Sequence, residues 1–435
     1  MSMPRIRPAL SSPASHLAAR VILLASVGVL APMALASASQ PSPAPTPAPA
    51  PTPAPPSAPS PTLPAALPTP VRALAPDAAI DVIAFASCAR EREDQPLWDV
   101  VLEQDPDAFL FIGDNVYADM WDDGSGRVRM TPVTKAERFD EAYAALSTKP
   151  GWRRLRERVP ILATWDDHDF GANDAGAEYP LRAQAQRSML DFLGVPTDSP
   201  RRTREGIYDA ITVGPEGRRV QFIVLDTRYF RGPLDKDGAP TAAAPDARPG
   251  GAARRGPYVP TTDTSRTILG EAQWTWLAER LREPADLRII ASSIQVVADE
   301  HGFETWGNMP HERDRLYRLI EQTGAKGVLF ISGDRHLVEI SKDTRPGTPY
   351  PMWDFTSSGV NLRRSEPPKD LNTHRVGPVL REPNIGVIRI AWGATPDQTR
   401  IVLEGLGALG SKLTTATLTL ADLAPGAGEP KPVLE

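Results

Sequence analysis

From about Ala79 onward, short apolar runs alternate with amphipathic stretches. Asp81–Ala86 (DVIAFA), Ala108–Ile112 (AFLFI), Val159–Thr164 (VPILAT), Arg219–Leu225 (RVQFIVL), Leu287–Ser292 (LRIIAS) and Gly327–Ile331 (GVLFI) read as strands. Gln95–Gln104, Phe139–Arg158, Glu271–Leu281 and His311–Thr323 carry helical spacing between them. The strands are continuous apolar runs rather than alternating ones, so both of their faces are expected to be buried. That pattern predicts an α/β sandwich with helices outside. Nearer the C-terminus, Ile385–Trp392, Arg400–Glu404 and Thr415–Leu420 alternate apolar and polar residues and predict antiparallel strands completing a second sheet. Gly232–Arg254, rich in Pro, Ala, Gly and charge, reads as a surface insertion.

Ahead of this body the pattern changes twice. Arg5, Arg7 and Arg20 precede an apolar run from Val21 to about Leu35, and Ala36-Ser37-Ala38 follows. A basic stretch, an apolar stretch and small residues in that order predict a secretory signal over 1–38. Gly28 and Pro32 interrupt the run, which is short for a membrane-spanning helix. Residues 39–78 then form a Pro-rich linker, with 14 prolines between Pro41 and Pro70. Proline fixes φ and removes a donor, so this stretch is expected to be extended and unpacked. The body over 79–423 reads as one catalytic domain, and 424–435 as a tail.

Composition narrows the function classes. Hydrophobic residues make up 41% of the 435, enough for a sizeable core. The net charge is −6, and the first 38 residues hold three Arg and no acid, so the body is more acidic still. An acidic body argues against a stable nucleic-acid complex. The single cysteine, Cys88, makes no internal disulfide; it is either inert and buried or it does chemistry.

The chemistry collects where the strands stop. Ser87-Cys88-Ala89-Arg90, Gly113-Asp114-Asn115-Val116-Tyr117, Trp165 through Asp169, and Ser332-Gly333-Asp334-Arg335-His336 each follow an apolar run. In α/β sheets the carboxyl ends of strands are where ligands bind. Any one of these carboxylates could simply cap the following helix. Asp114, Asp167 and Asp334 converging together would repel one another unless a cation lay between them.

These four segments, in this order, resemble the alkaline phosphatase D (PhoD-like) branch of the calcineurin-type metallophosphoesterases. Phe222–Arg228 (FIVLDTR), Gln273–Leu277 (QWTWL) and Ser292–Val296 (SSIQV) fit the same resemblance, which spans about residues 80–360. That family's usual N-terminal β-sandwich domain is expected to be missing ahead of the first motif. The resemblance implies a four-layer α/β/β/α sandwich with a two-metal centre at the strand ends. Asp114 would bridge the metals, and Cys88, Tyr117 and His336 would complete a site suited to Fe(III). Asp167, Asp334 and Asn173, with Asp174 as the alternative to Asn173, would hold a second cation with oxygens only. Such a shell suits calcium, magnesium or manganese over zinc. Gln295 stands where many metallophosphoesterases have a metal-binding His. His168 would be the general acid for the leaving oxygen, and Arg90 a phosphate clamp.

The expected function is an exported phosphatase of the periplasm or cell envelope. It would hydrolyse phosphate monoesters, and diesters as a side activity, by a metal-activated hydroxide. Its partners would be small-molecule or polymeric phosphate esters, with no stable membrane insertion after signal cleavage. Two rivals share the sequence: a phosphodiesterase on phospholipid head groups or wall polymer, and a non-catalytic envelope binding protein on the same fold. No P-loop and no G-x-S-x-G element is present.

Overall fold

Strand β1 (Val82–Ala86) is apolar throughout, and each of its faces meets a different layer. Ile83 and Phe85 point into the core shared with a second sheet, while Ala84 and Ala86 face a helical layer. Phe85 meets Phe355 of that second sheet edge-on, with ring centroids 5.0 Å apart. This division of one strand between two cores defines the sandwich. The chain is described from a computed structural model, which covers residues 71–122, 125–237, 256–362 and 370–427. The expected signal, most of the linker, 238–254 of the insertion and 428–435 of the tail lie outside the described residues.

In chain order, α1 (Leu97–Glu103), β2 (Ala108–Ile112), β3 (Met120–Asp122), β4 (Val128–Met130), α2 (Glu137–Ser147), α3 (Pro150–Arg158) and β5 (Ile161–Thr164) follow β1. Next come α4 (Asp167–Phe170), α5 (Arg182–Phe192), β6 (Asp209–Val213), β7 (Val220–Val224), β8 (Asp235–Lys236), β9 (Tyr258–Val259), α6 (Gly270–Leu281) and β10 (Leu287–Ala291). The remainder is α7 (Pro310–Thr323), β11 (Val328–Ser332), β12 (Val338–Asp343), β13 (Met352–Ser357), β14 (Arg375–Leu380), β15 (Ile385–Ala391), β16 (Arg400–Leu406) and β17 (Lys412–Thr419). The first sheet has the order β17-β16-β15-β1-β2-β5, and the second β14-β12-β13-β11-β10-β7-β6. Helices α1, α2, α3 and α5 pack on the outer face of the first sheet, and α6 and α7 on that of the second. The predicted α/β sandwich is the observed architecture. No helix among the described residues is long and apolar enough to cross a membrane.

Two local expectations are corrected. The single helix over Phe139–Arg158 is two helices, because Lys149 before Pro150 is extended (φ −69°, ψ 121°) and Pro150 opens α3. The C-terminal strands do not complete the second sheet; they extend the first, β15 pairing antiparallel with β1. Gly386 permits that pairing, since a Cβ there would meet the Phe85 ring at 2.2 Å. The second sheet is instead closed by β12, β13 and β14. Their polar residues hid them: Asp354 of β13 is buried, accepting from Ser332 Oγ at 2.7 Å and from Val296 N at 2.8 Å.

Candidate metal centre

Strands β1, β2 and β5 lie side by side and parallel, so their carboxyl ends form one edge. The end of β11, from the second sheet, closes on that edge: a Cβ on Gly333 would meet Ser87 Oγ at 2.5 Å. The residues after these strands take backbone conformations that L-residues avoid. Seven non-glycine residues among those described have positive φ, and five of them are Cys88 (60°), Asp114 (49°), Asp174 (54°), Asp334 (64°) and His336 (51°). Each such conformation costs on the order of 1–3 kcal/mol and persists only where surrounding contacts hold it. The contacts are present. Cys88 N donates to Gly113 O (3.1 Å), Ala89 N to Asp114 O (2.9 Å) and His336 N to Ser358 Oγ (2.8 Å).

These turns aim four donors at one another. Cys88 Sγ lies 3.2 Å from Asp114 Oδ2, Tyr117 Oη 3.3 Å from the same oxygen, and Tyr117 Oη 3.2 Å from His336 Nε2. Burial pushes the Cys88 thiol and the Tyr117 phenol well above their ordinary ranges, and the neighbouring Asp114 adds to both. Asp114 itself is pushed well up, first by burial and then by Asp167, Asp166 and Asp169, against the pull of His168.

On its other side Asp114 joins an oxygen-rich group. The ligand atoms of Asp114, Asp167 and His168 lie within 4.8 Å of one another, and so do those of Asp167, Asp174 and Glu304. Asp174 N donates to Asp167 Oδ2 at 2.7 Å, while Asp167 Oδ1 is buried with no hydrogen-bond partner. Burial pushes the Asp334 carboxyl well up; Arg335 opposes, and Asp166, Asp167 and Glu304 add. Behind this group lies a buried arginine. Arg228 Nε donates to Asp166 Oδ1 at 2.6 Å and its Nη1 to Glu304 Oε1 at 2.8 Å. Asp166 in turn caps α4, the single turn that carries Asp167 and His168.

His168 has its own support. Its Nδ1 is 2.9 Å from Asp119 Oδ1, and its ring stacks on Tyr117 with centroids 4.2 Å apart. Burial opposes a charge on the imidazole, but Asp167, Asp114 and Asp119 outweigh it and hold the ring protonated well above its usual range.

Residues 83–387, well over half of the chain, match the model of the PhoD-like phosphatase family. The chain belongs to that family. A solved structure of PhoD is similar to it at 18% identity, covering 81% of this chain and 70% of that one with a TM-score of 0.60. At this identity the likeness carries the fold. No curated protein matches the sequence. The chain is therefore a phosphatase, a phosphoric ester hydrolase, and its family implies metal ions.

The donors of this PhoD-like phosphatase fit such ions. Asp167 Oδ1 is a buried carboxylate oxygen with no donor to satisfy it. Thiol, phenol and carboxyl groups sharing a space this small are all driven toward neutrality by burial and by one another, and a cation reverses that balance.

Sequence reasoning placed Cys88, Asp114, Tyr117, Asp167, Asp334, His336 and His168 at the strand ends, where they now lie. Asn173 departs from expectation. It is exposed, and the left-handed turn at Asp174 carries that neighbouring carboxylate inward instead. Arg90 is half-buried, with its guanidinium 3.0 Å from Glu93 and 5.7 Å from the centre of the Tyr117 ring. Gln295 turns away, donating to Glu339 (2.7 Å) and Thr356 (2.8 Å). The outlying histidines make other contacts. His311 Nε2 meets Arg266 O at 2.7 Å, and the His301 ring accepts from Phe303 N at 3.1 Å. His374 is 3.7 Å from Asp299, a carboxylate already paired with Arg313 and Arg345. Glu304, Asp119 and Arg228 were missed. Glu304 sits far along the connection between β10 and α7 rather than at a strand end, and only the run Asp226-Thr227-Arg228 at the end of β7 carried a signal.

Proposed function

We propose that this chain is an exported, metal-dependent phosphatase that hydrolyses phosphate monoesters, with diesters as a secondary substrate. The observation that carries this reading is the position of Asp114. Its carboxylate belongs to the thiol–phenol–imidazole group on one side and to the carboxylate group on the other. Cys88, Asp114, Tyr117 and His336 would hold iron(III), because thiolate, phenolate and imidazole suit it. Asp114, Asp167, Asp334, Asp174 and Glu304 would hold calcium, or another hard divalent cation, through oxygens alone. Bound there, the pair of cations would stabilise charge on the phosphoryl group and lower the pKa of water.

The chain's own side chains do the rest. His168, held by Asp119 through Nδ1, presents Nε2 to the leaving oxygen and gives up its proton there. Because Asp119 fixes the ring and its tautomer, little reorganisation is needed when the proton moves. Arg90 exchanges its pairing with Glu93 for a bidentate contact with the phosphoryl group. Arg228 keeps Asp166 and Glu304 fixed, and through them the turn bearing Asp167 and His168. Export is supported by the basic and apolar stretches over 1–38, and the mass of the mature N-terminus tests it.

The test of the main reading is hydrolysis of aryl phosphate monoester and diester by protein purified without chelator. Turnover that disappears on chelation and returns with added metal is expected. Turnover indifferent to chelator would remove the metal-dependent reading.

A further inference from the structure

Among the described residues, three large apolar side chains stand mainly in solvent: Val128 (63% exposed), Met130 (48%) and Leu409 (98%). Two of the three belong to the hairpin β3–β4. Its register pairs Met120 with Met130 and Asp122 with Val128. Paired residues, and residues two apart on a strand, share a face, so Met120, Met130 and Val128 lie together, with Asp122 beside Val128. The opposite face is anchored through Trp121, whose ring lies 4.4 Å from the Arg138 guanidinium of α2.

The shared apolar face leads back to the centre. Met120 packs against the small cluster of Cys88, Tyr117 and Leu362. Met120 N donates to Tyr117 O at 3.0 Å, and Thr131 N to Asp119 O at 2.8 Å, so the hairpin springs directly from the residues that hold His168. Nothing in the described fold packs Val128 or Met130 away from water, so neither serves the core.

We propose that the strip Leu362–Met120–Met130–Val128 receives the alcohol half of the substrate, and that this half is an alkyl or aryl group rather than a sugar or polyol. The inference rests on the phosphatase reading of the centre. The leaving oxygen takes its proton from His168, so the departing alcohol lies beside His168 and its stacking partner Tyr117. The hairpin leaves the centre on that side, and its outward face is apolar through Met120, Met130 and Val128, with the Asp122 carboxylate opposite Val128 at its outer end. An alkyl chain laid along it removes Met130 and Val128 from water; a polyol there would forfeit its own hydration for no hydrogen bond.

Ethylphosphonate and hexylphosphonate, which are not hydrolysed, provide the test by calorimetry on the full chain. A fully buried methylene is worth about fourfold in affinity, and on a strip open to one side about twofold. The hexyl compound, four methylenes longer, is thus expected to bind about 16-fold more tightly than the ethyl compound. In a Val128→Ser/Met130→Ser double variant, whose changes are both on exposed positions, that ratio is expected to fall toward one. Equal affinities in the unmodified protein would overturn the proposal, and so would a ratio that survives in the double variant. Adsorption to phosphatidylcholine vesicles through these two residues, without any alkyl preference in solution, would also overturn it by assigning the face to a membrane surface. Turnover of ethyl phosphate, measured alongside, judges the phosphatase reading separately: its absence removes that reading, while the affinity ratio still decides whether the strip takes an alkyl group.

Discussion

The two ends of the centre are built differently. Around Cys88, Tyr117 and His336 the donors are held by backbone turns and serine hydroxyls, with Ser358 Oγ 3.1 Å from the thiol. Around Asp167, Asp174 and Glu304 the donors are wired to buried cations of the protein itself, Arg228 and Arg231. Tyr258 adds a hydroxyl, donating to Asp174 Oδ2 at 2.5 Å. At the first end the Arg90 guanidinium lies 5.7 Å from the Tyr117 ring and His168 stacks on it, yet burial still holds the thiol and the phenol protonated, so a bound cation is needed to ionise them. The second end has part of its balance supplied in advance. Loss of metal is therefore expected to disturb the first end more, and loss of Arg228 the second.

The largest effect is expected at the residue the two ends share. Asp114→Asn should lower turnover by about 10⁴-fold, since several kcal/mol of charge stabilisation goes with both cations. Elemental analysis should show both metals depleted; depletion of one alone would break the picture of a shared carboxylate. His168→Ala comes next, with a loss of about 10³-fold in kcat at unchanged metal content. Unchanged turnover would remove His168 as the acid.

Arg228→Gln separates the ends. It leaves the buried Asp166 without its arginine and Glu304 with Arg231 alone, which should cost roughly 3–5 kcal/mol of stability in denaturant unfolding. It should also weaken retention of the hard divalent cation while iron stays bound. Equal loss of both metals would mean that Arg228 serves the whole centre. The smallest effect lies away from both ends. Burial raises Asp354 to about 6 despite its hydrogen bonds from Ser332, Val297 and Val296. A carboxyl raised above its unfolded value of about 3.9 favours the folded state when protonated. That contribution is complete below about pH 4 and is lost as pH rises through 6, by up to roughly 3 kcal/mol. Asp354→Asn should flatten unfolding stability across this window; an unaltered slope would place the pH dependence elsewhere.

The same contrast explains what was legible in the sequence. The first end follows apolar strands directly, so Cys88, Asp114, Tyr117 and His336 announce themselves as polar residues after AFA, LFI and LFI runs. The second end takes Asp174 from a turn after α4 and Glu304 from the long connection between β10 and α7, where no periodicity marks a side chain as inward. Asn173 and Asp174 differ by one position, and only the left-handed φ of 54° at Asp174 decides which faces in. Strand β13 was obscured because its buried Asp354 breaks the apolar run that identifies a strand buried on both faces. The antiparallel character of the C-terminal strands was readable, but their sheet was not, since pairing depended on Gly386 fitting against Phe85.

The most direct test of the two-ended centre is elemental analysis with a visible absorption spectrum, on the unmodified protein and on Cys88→Ser, both purified without chelator. The unmodified protein should carry near-stoichiometric iron with a tyrosinate charge-transfer band, together with calcium; Cys88→Ser should lose the iron and the band and keep the calcium. Zinc or manganese without that band, or iron unaffected by the substitution, would contradict the account.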